Sequence, residues 1–338
     1  MSTTFNVTEY FPGMGTLCSP FTEGLRQHGS VKVSGAVELD TRYLRLFSRQ
    51  HPEASTFLGS VTGYSPEEVS TGDANSVSIF VAGIPCTGAS TAGRSKNHLS
   101  AAEMHPDVGH LFLPTLHYIT RHLPDMVVFE NVKQYATTFS AAAIRRHLTT
   151  LGYEISEKVV NPFTDFETAT ERVRWILVGS RIGSFRWDYE ARPFTGTIEH
   201  LLDPVTPLDR EEQFSEKQVA AHTAYIARKQ AEGCGFARRI LSRNATKVPT
   251  LPKSMGKIQP SGTFTDSGCD AGTYRMLRTR EVARIHGFGP EFISVIETLP
   301  ATLGYEVLGQ GVVARPFRAL GEALARFAVS RHVASAAA

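Results

Sequence analysis

VSIFVAGIPCTGAS, residues Val77–Ser90, runs through β-branched and aromatic residues into glycine, proline and cysteine. A continuous apolar segment of this kind fits a central parallel strand buried on both faces, and open α/β sheets take up ligands at the carboxyl ends of such strands. Pro85 fixes its own φ and has no N–H to donate, so the ladder must stop there. Cys86 is left at the tip of the following loop. Taken alone, the stretch allows two readings of the thiol: a nucleophile offered at a ligand-binding strand end, or a small buried cysteine closing a strand.

The preceding segments supply neighbours for that strand. Phe5–Phe11 reads as a short apolar strand, PGMGTLCSPF as a glycine turn and FTEGLRQHG as a helix. That order opens a nucleotide-binding α/β domain, because glycines let backbone N–H groups and a helix N-terminus approach a polar ligand. VKVSGAVELD is a second strand ending in Glu38 and Asp40. An acid about twenty residues beyond a glycine turn is the usual partner of ribose hydroxyls, and a solvated strand end is the plainer alternative. A helix is expected over Arg42–Gln50, followed by a Gly/Ser-rich connection.

Downstream, residues 87–109 are rich in small residues and read as a long binding loop or lid. His98, His105 and His110 lack metal-ligand spacing and read as surface or helix-capping residues. His110–Leu123 has helical spacing, PDMVVFENV is a buried strand ending in Glu130 and Asn131, and Ser140 is expected to cap a helix stopping at Gly152. Carboxylates are depleted at core strand ends unless they have a task. TERVRWILVGSR reads as a strand with Arg172 and Arg174 on one face.

The strand–helix alternation lapses near Ser184. Between Arg228 and Lys257 stand eight basic residues, including Arg238, Arg239 and Arg243, against the single acid Glu232. Such a run is a solvated face or a phosphate-contacting surface. RMLRTREVARIHGFGPEF reads as a short helix with a glycine stop. GYEVLGQGVVARPFRALGEALARFAV reads as a loop feeding a long amphipathic helix that packs back on the first domain.

Composition narrows the class. The 338 residues, 41% of them hydrophobic, suffice for a large core and a second, smaller domain. No apolar run approaches the roughly 20 residues of a membrane helix, and MSTTFNVTEY lacks the features of a signal peptide, which points to the cytoplasm. Cys18, Cys86, Cys234 and Cys269 form no CxxC pair, so neither a zinc site nor a disulfide framework is expected. A net charge of +2 neither requires nor excludes nucleic acid.

Taken together, the order of these pieces resembles the DNA cytosine carbon-5 methyltransferase family over nearly the whole chain. FPGMG is similar to the family's cofactor loop, AVELD to its ribose-binding acid, PCTGAS to the Pro-Cys nucleophile motif, FENV to the Glu-Asn-Val motif and ERVR to the Arg-x-Arg motif. RMLRTREVARIHGF resembles the penultimate block and GQGVV the terminal one. Each motif is short, but seven in the family's order are not accidental.

The resemblance implies a doubly wound α/β methyltransferase sheet over residues 1–184. A smaller DNA-recognition domain would span 185–292, and 293–338 would return to the catalytic domain. It implies S-adenosylmethionine as cofactor, held by Phe11, Gly13, Gly15, Glu38, Ser60, Pro85 and Gln310. It implies that Cys86 adds to carbon-6 of a flipped-out cytosine in a short double-stranded DNA sequence. Glu130 would then serve ring nitrogen 3, and Arg174, with Arg172, the base carbonyl, with no metal involved. Glu130 would need a carboxyl pKa raised by burial or by the bound ring. Ser90, Arg94, Lys96, Arg238, Arg239, Arg243 and Thr250 would face DNA, VPTL (Val248–Leu251) resembling the Thr-Leu element of such domains.

Some positions depart from the family pattern. Thr87 and Thr170 stand where glutamine is usual, Ser60 where aspartate, Gln310 where asparagine and Gly289 where proline. Other readings on the same scaffold are an RNA cytosine methyltransferase, a DNA-binding regulator without catalysis, and a purely structural α/β protein. A bacterial or phage-like setting follows from the resemblance. The recognised bases and any restriction endonuclease partner are not legible.

Overall fold

The computed structural model describes residues 3–63, 76–85, 101–235, 237–270 and 272–336, with side chains described to residue 331. The chain separates into two compact units, 1–161 with 173–190 and 316–338, and 162–172 with 191–315.

The first unit is built on a seven-stranded sheet. Its strands are β1 (Thr4–Tyr10), β2 (Ser30–Glu38), β3 (Ser55–Leu58), β4 (Val77–Gly83), β5 (Met126–Val132), β6 (Glu154–Val160) and β7 (Arg174–Ser180), in the order β3-β2-β1-β4-β5-β7-β6. β1 to β5 pair in parallel, whereas β7 lies antiparallel between β5 and β6. The direction of winding reverses between β1 and β4, where open sheets leave a crevice beyond the strand ends. Tyr10, Phe80 and Phe129 on one sheet face pack with Leu116 and Ile119 of the helix Phe112–His122, and with Ile144 and Leu148 of the helix Phe139–Thr150.

Two further helices of this unit, Cys18–Leu25 and Ala314–Ala336, cross at glycine. A Cβ on Gly321 would lie 2.1 Å from the Phe21 carbonyl oxygen, and one on Gly24 would lie 2.0 Å from that of Arg318. Only hydrogen permits that approach, and the Arg318–Glu23 ion pair at 2.5 Å closes its rim. Residues 316–338 cluster in the same unit as 1–161 and 173–190.

In the second unit, β8 (Arg239–Leu241), β9 (Thr263–Asp266) and β10 (Tyr274–Arg275) form a small sheet over Phe214, Phe264 and Tyr274. Beside it lies a buried ionic network. Arg275 meets Asp209 at 2.7 Å and Glu281 at 2.8 Å, while Arg278, Arg280 and Arg284 converge on Asp203. Burial alone would raise the Asp203 carboxyl, but hydrogen bonds from Arg284, Arg278 and Arg280 bring it down to about 2.

Several sequence expectations change. The expected strand through Arg172 begins only at Arg174, so strand alternation does not place the two arginines on one face. Thr138, not Ser140, caps its helix, accepting from the Ala141 N–H, and Ser140 instead donates to Glu103. GYEVLGQ is not a loop but part of the helix Ala301–Gln310. Its Gly304 and Gly309 face Thr279 and the Lys253 backbone too closely for a Cβ, at 2.8 and 2.3 Å. His105 is buried, and its Nδ1 accepts from the Asp107 N–H. Residues 162–172 and 293–315 both fall in the second unit.

Candidate active site

The carboxyl ends of β1 and β2 carry the expected cofactor residues. After β1 the chain turns at once, with Phe11 at φ 60°, Gly13 at 56° and Gly15 at 93°. A non-glycine residue at positive φ is strained, and such strain persists where surrounding structure enforces it. The Phe11 N–H donates to the Val37 carbonyl at 3.1 Å, which holds the turn against β2. Glu38 completes the arrangement. Its Oε2 accepts from the Gly13 N–H at 3.0 Å and its Oε1 from Leu39 and Asp40 at 2.8 and 2.9 Å. Burial pushes the Glu38 carboxyl upward, against the pull of those donors. Asp40 then caps the helix Thr41–Gln50, accepting from the Arg42 N–H at 2.8 Å.

A carboxylate offers about four acceptor positions, so Glu38 keeps capacity for a hydroxyl beside its backbone donors. A Cβ built on Gly13 meets nothing within 4 Å, which leaves the turn open on that side. A ribosyl cofactor fits these residues. Ser60 is exposed and folds back on Thr62, with Oγ–Oγ1 at 2.7 Å. Leu39, 72% exposed beside Glu38, adds an apolar surface that the sequence pattern did not single out.

Next in the sheet are the ends of β4 and β5. Arg174 Nε meets Glu130 Oε1 at 2.6 Å, both side chains only about one-eighth exposed, at 13% and 12%. A Cβ on Gly83 would lie 3.5 Å from Glu130 Oε2, so this carboxylate stands over the end of β4. Asn131, next in sequence, turns the other way. Its Nδ2 donates to the Ile84 carbonyl at 3.0 Å, and its Oδ1 accepts from the Val132 N–H at 2.9 Å. The backbone entering Pro85 is thereby pinned to β5. That role was missed in the sequence, although the Glu-Asn pair was its signal. Pro85 itself is half-buried. Cys86, Thr87, Ser90, Arg94, Lys96 and His98 lie outside the described residues.

The second unit holds the remaining expected site residues. Arg172 is 5% exposed and donates to the Leu251 and Gly309 carbonyls at 3.3 and 2.8 Å. Thr170 Oγ1 donates to the Pro249 carbonyl at 3.2 Å, and Thr250 Oγ1 donates to the Glu171 carbonyl. Residues 169–172 are therefore stitched to VPTL, and Arg172 serves as a clamp on backbone. Gln310 ends its helix beside Glu306, at 3.4 Å.

The basic run is less free than its sequence suggests, because acids distant in sequence fold onto it. Arg243 faces Glu199 at 3.7 Å and Lys247 pairs with Glu171 at 2.8 Å. Arg238 donates to the Tyr274 hydroxyl at 2.8 Å and lies over its ring. Arg239 is exposed. Among the described residues no group of three or more His, Cys, Asp or Glu is placed to hold a metal, and no helix is long and apolar enough to cross a membrane.

The switch point thus carries a glycine turn and an acid at one side and an Arg–Glu pair at the other. Residues 5–326 match the family model for C-5 cytosine-specific DNA methylase. The chain belongs to that family. Among relatives, it is 24% identical to the type II methyltransferase M.DsaV of Dactylococcopsis salina, over 93% of this chain and 84% of that one. It is 25% identical to the type II methyltransferase M.Bsp6I of a Bacillus species, over 72% and 77%. The fold matches the Entamoeba histolytica methyltransferase EhMeth with a TM-score of 0.72 at 17% identity, covering 95% of this chain and 98% of that one.

Proposed function

We propose that this protein transfers a methyl group to carbon-5 of a cytosine flipped out of a short double-stranded DNA sequence, through a covalent adduct with Cys86. The observation that carries the reading is the Glu130–Arg174 pair over the end of β4, the strand that leads into Cys86. Membership of the cytosine carbon-5 family supplies the reaction class. The description of the matching family, a DNA methylase, favours DNA as substrate.

Bound S-adenosylmethionine would supply an electrophilic methyl group at the Phe11–Gly15 turn, with a ribose hydroxyl on Glu38. The chain's own residues do the rest. The Cys86 thiolate forms a bond to carbon-6, and electron density moves onto the ring toward carbon-5 and nitrogen 3. As the base enters, Arg174 exchanges its contact with Glu130 for the base carbonyl, where negative charge grows, and Glu130 takes up nitrogen 3. After carbon-5 is methylated, loss of its proton to a base breaks the carbon–sulfur bond and restores the thiolate. Asn131 holds the Ile84 carbonyl, in the segment that precedes Pro85 and Cys86 in sequence. The target must leave the base stack, at a cost of a few kcal/mol that protein contacts offset. We assign those contacts to the loop carrying Ser90, Arg94 and Lys96 and to the recognition unit with Arg238, Arg239, Arg243 and Thr250.

The test is labelled methyl transfer by the purified chain to duplex DNA and to RNA, with Cys86→Ala alongside. Transfer to duplex DNA, abolished by Cys86→Ala while DNA is still bound, is expected. Transfer to RNA alone would move the substrate class, and turnover by Cys86→Ala would overturn the nucleophile. Bisulfite sequencing of DNA from expressing cells then reads the target sequence.

A further inference from the structure

A carboxyl group that the reaction does not use lies in the middle of the sheet. Glu9 is on β1, two residues before the strained Phe11, and is 1% exposed. It pairs in register with Ala36 of β2 and Val81 of β4. Strand alternation therefore puts Glu9 on the same sheet face as Glu38 and Glu130, one step in from the strand ends. Tyr10, its neighbour, points to the opposite face among Phe80 and Tyr118.

Ionised groups in such a place need partners, and Glu9 has few. Its Oε2 is buried without a hydrogen-bond partner. The Cys18 thiol, from the helix Cys18–Leu25, is its side-chain hydrogen-bond partner, and Glu38 and Glu130 both add negative charge around it. Arg174, a cation at a neighbouring strand end, is engaged by Glu130 at 2.6 Å. Arg26 and Glu53 act on Cys18 with opposite sign. Burial, with the two like charges, pushes the Glu9 carboxyl up to about 8. The free protein thus holds a neutral acid beneath the crevice at neutral pH, and a cation arriving there would be the missing counter-charge.

We propose that Glu9 is a specificity residue for the charge of the cofactor: it gives up its proton when the sulfonium form binds and recovers a proton once the neutral thioether product is formed. The inference rests on the S-adenosylmethionine reading of the Phe11–Gly15 turn and Glu38. The step balances without a further reactant, since the carboxylic acid releases one proton to solvent and the carboxylate takes one back. Its consequence is discrimination. Substrate cofactor gains an ionic partner that product cofactor lacks, so the product is retained less well after transfer.

A nearby opposite charge lowers a carboxyl pKa by about 1–3 units. With a drop of about 2 units, binding at pH 7 would release roughly 0.8 proton, and affinity for S-adenosylmethionine would rise about 25-fold from pH 6 to pH 8. S-adenosylhomocysteine, with no sulfonium, should release almost none through Glu9. Titration calorimetry of the full chain, in buffers of different ionisation enthalpy, reads the proton count directly. The ligand's own amine titrates near pH 8, so the decisive quantity is the difference between wild type and Glu9→Gln. Glutamine imitates the neutral acid and should leave S-adenosylhomocysteine binding unchanged.

A release with S-adenosylmethionine that disappears in Glu9→Gln supports the proposal. Binding with no release, or with equal release in both proteins, overturns it. Failure of either ligand to bind overturns the cofactor reading itself, a different outcome. Should the variant not fold, infrared difference spectra of wild type decide: loss of a protonated-carboxyl band on S-adenosylmethionine binding, and not on S-adenosylhomocysteine binding, is expected. An unchanged band refutes the assignment.

Discussion

Removing Arg174 separates what the arginine does for the fold from what it does for the reaction. In Arg174→Ala the Glu130 carboxylate, 12% exposed, loses the guanidinium nitrogen that lies 2.6 Å away. Two unit charges about 4 Å apart attract by about 4 kcal/mol at the effective dielectric of a partly buried site. Resolvation of the abandoned carboxylate returns part of this, so a stability loss of about 1–3 kcal/mol is expected. If Arg174 also balances charge on the base carbonyl, turnover falls by about 10²–10³, or 2.7–4 kcal/mol of barrier. The two effects part company in Arg174→Ala/Glu130→Gln. Neutralising the abandoned carboxyl should restore most of the stability and none of the turnover. Urea unfolding gives the first quantity, and single-turnover methyl transfer to duplex DNA gives the second. A double variant that turns over within tenfold of wild type would refute the role given to this pair, and so would a single variant that loses stability but no activity.

Other expectations concern the scaffold. Gly321→Ala puts a Cβ 2.1 Å from the Phe21 carbonyl and forces two helices apart. A loss of about 1–3 kcal/mol is expected, read as a drop in melting temperature, whereas Gly235→Ala, where a Cβ meets nothing within 4 Å, should change it little. The Glu9 carboxyl is raised to about 8 in the folded protein, so the folded state holds a proton that the unfolded state has lost. Its contribution is full below the ordinary carboxyl range and falls by about 1.4 kcal/mol per pH unit as pH rises to about 8. Denaturation across pH should show that component vanish in Glu9→Gln, and a wild-type profile in the variant would contradict it. Asp203, brought down to about 2, acts in the opposite sense, and its share of stability is lost as pH falls through 4 toward 2. Asp203→Asn should blunt acid unfolding in that window, as followed by circular dichroism.

The strands that bear the site were legible because they are buried on both faces and read as unbroken apolar runs. β1, β4 and β5 appear where their sequences put them, and Glu38 and Glu130 stand at the strand ends expected. β3 and β6 were not read. β3 has only four residues, and β6 is an edge strand whose EISEKVV is exposed or partly buried everywhere but Val160. Gly304 and Gly309 suggested a loop although they serve close packing inside a helix, a distinction that only the neighbouring backbone can make. Arg172 looked like a twin of Arg174 because spacing was visible and the start of the strand was not. The basic run looked bare for a related reason, since Glu171 and Glu199 reach it only through folding.

The glycine-mediated crossing of the first and last helices has a consequence for synthesis. Segment 316–338 belongs to the unit that otherwise ends at 190, with the second unit produced in between. At ordinary translation rates those roughly 125 intervening residues take about 6–25 s to emerge. Throughout that interval the helix Cys18–Leu25 lacks the helix that crosses it, and the groove cut by Gly24 is open to water. The nascent chain therefore carries all seven strands of the sheet, with one flank still uncovered, on the ribosome. That window is when a chaperone has most to shield, and the cover over the helix Cys18–Leu25 waits for the final helix to be made.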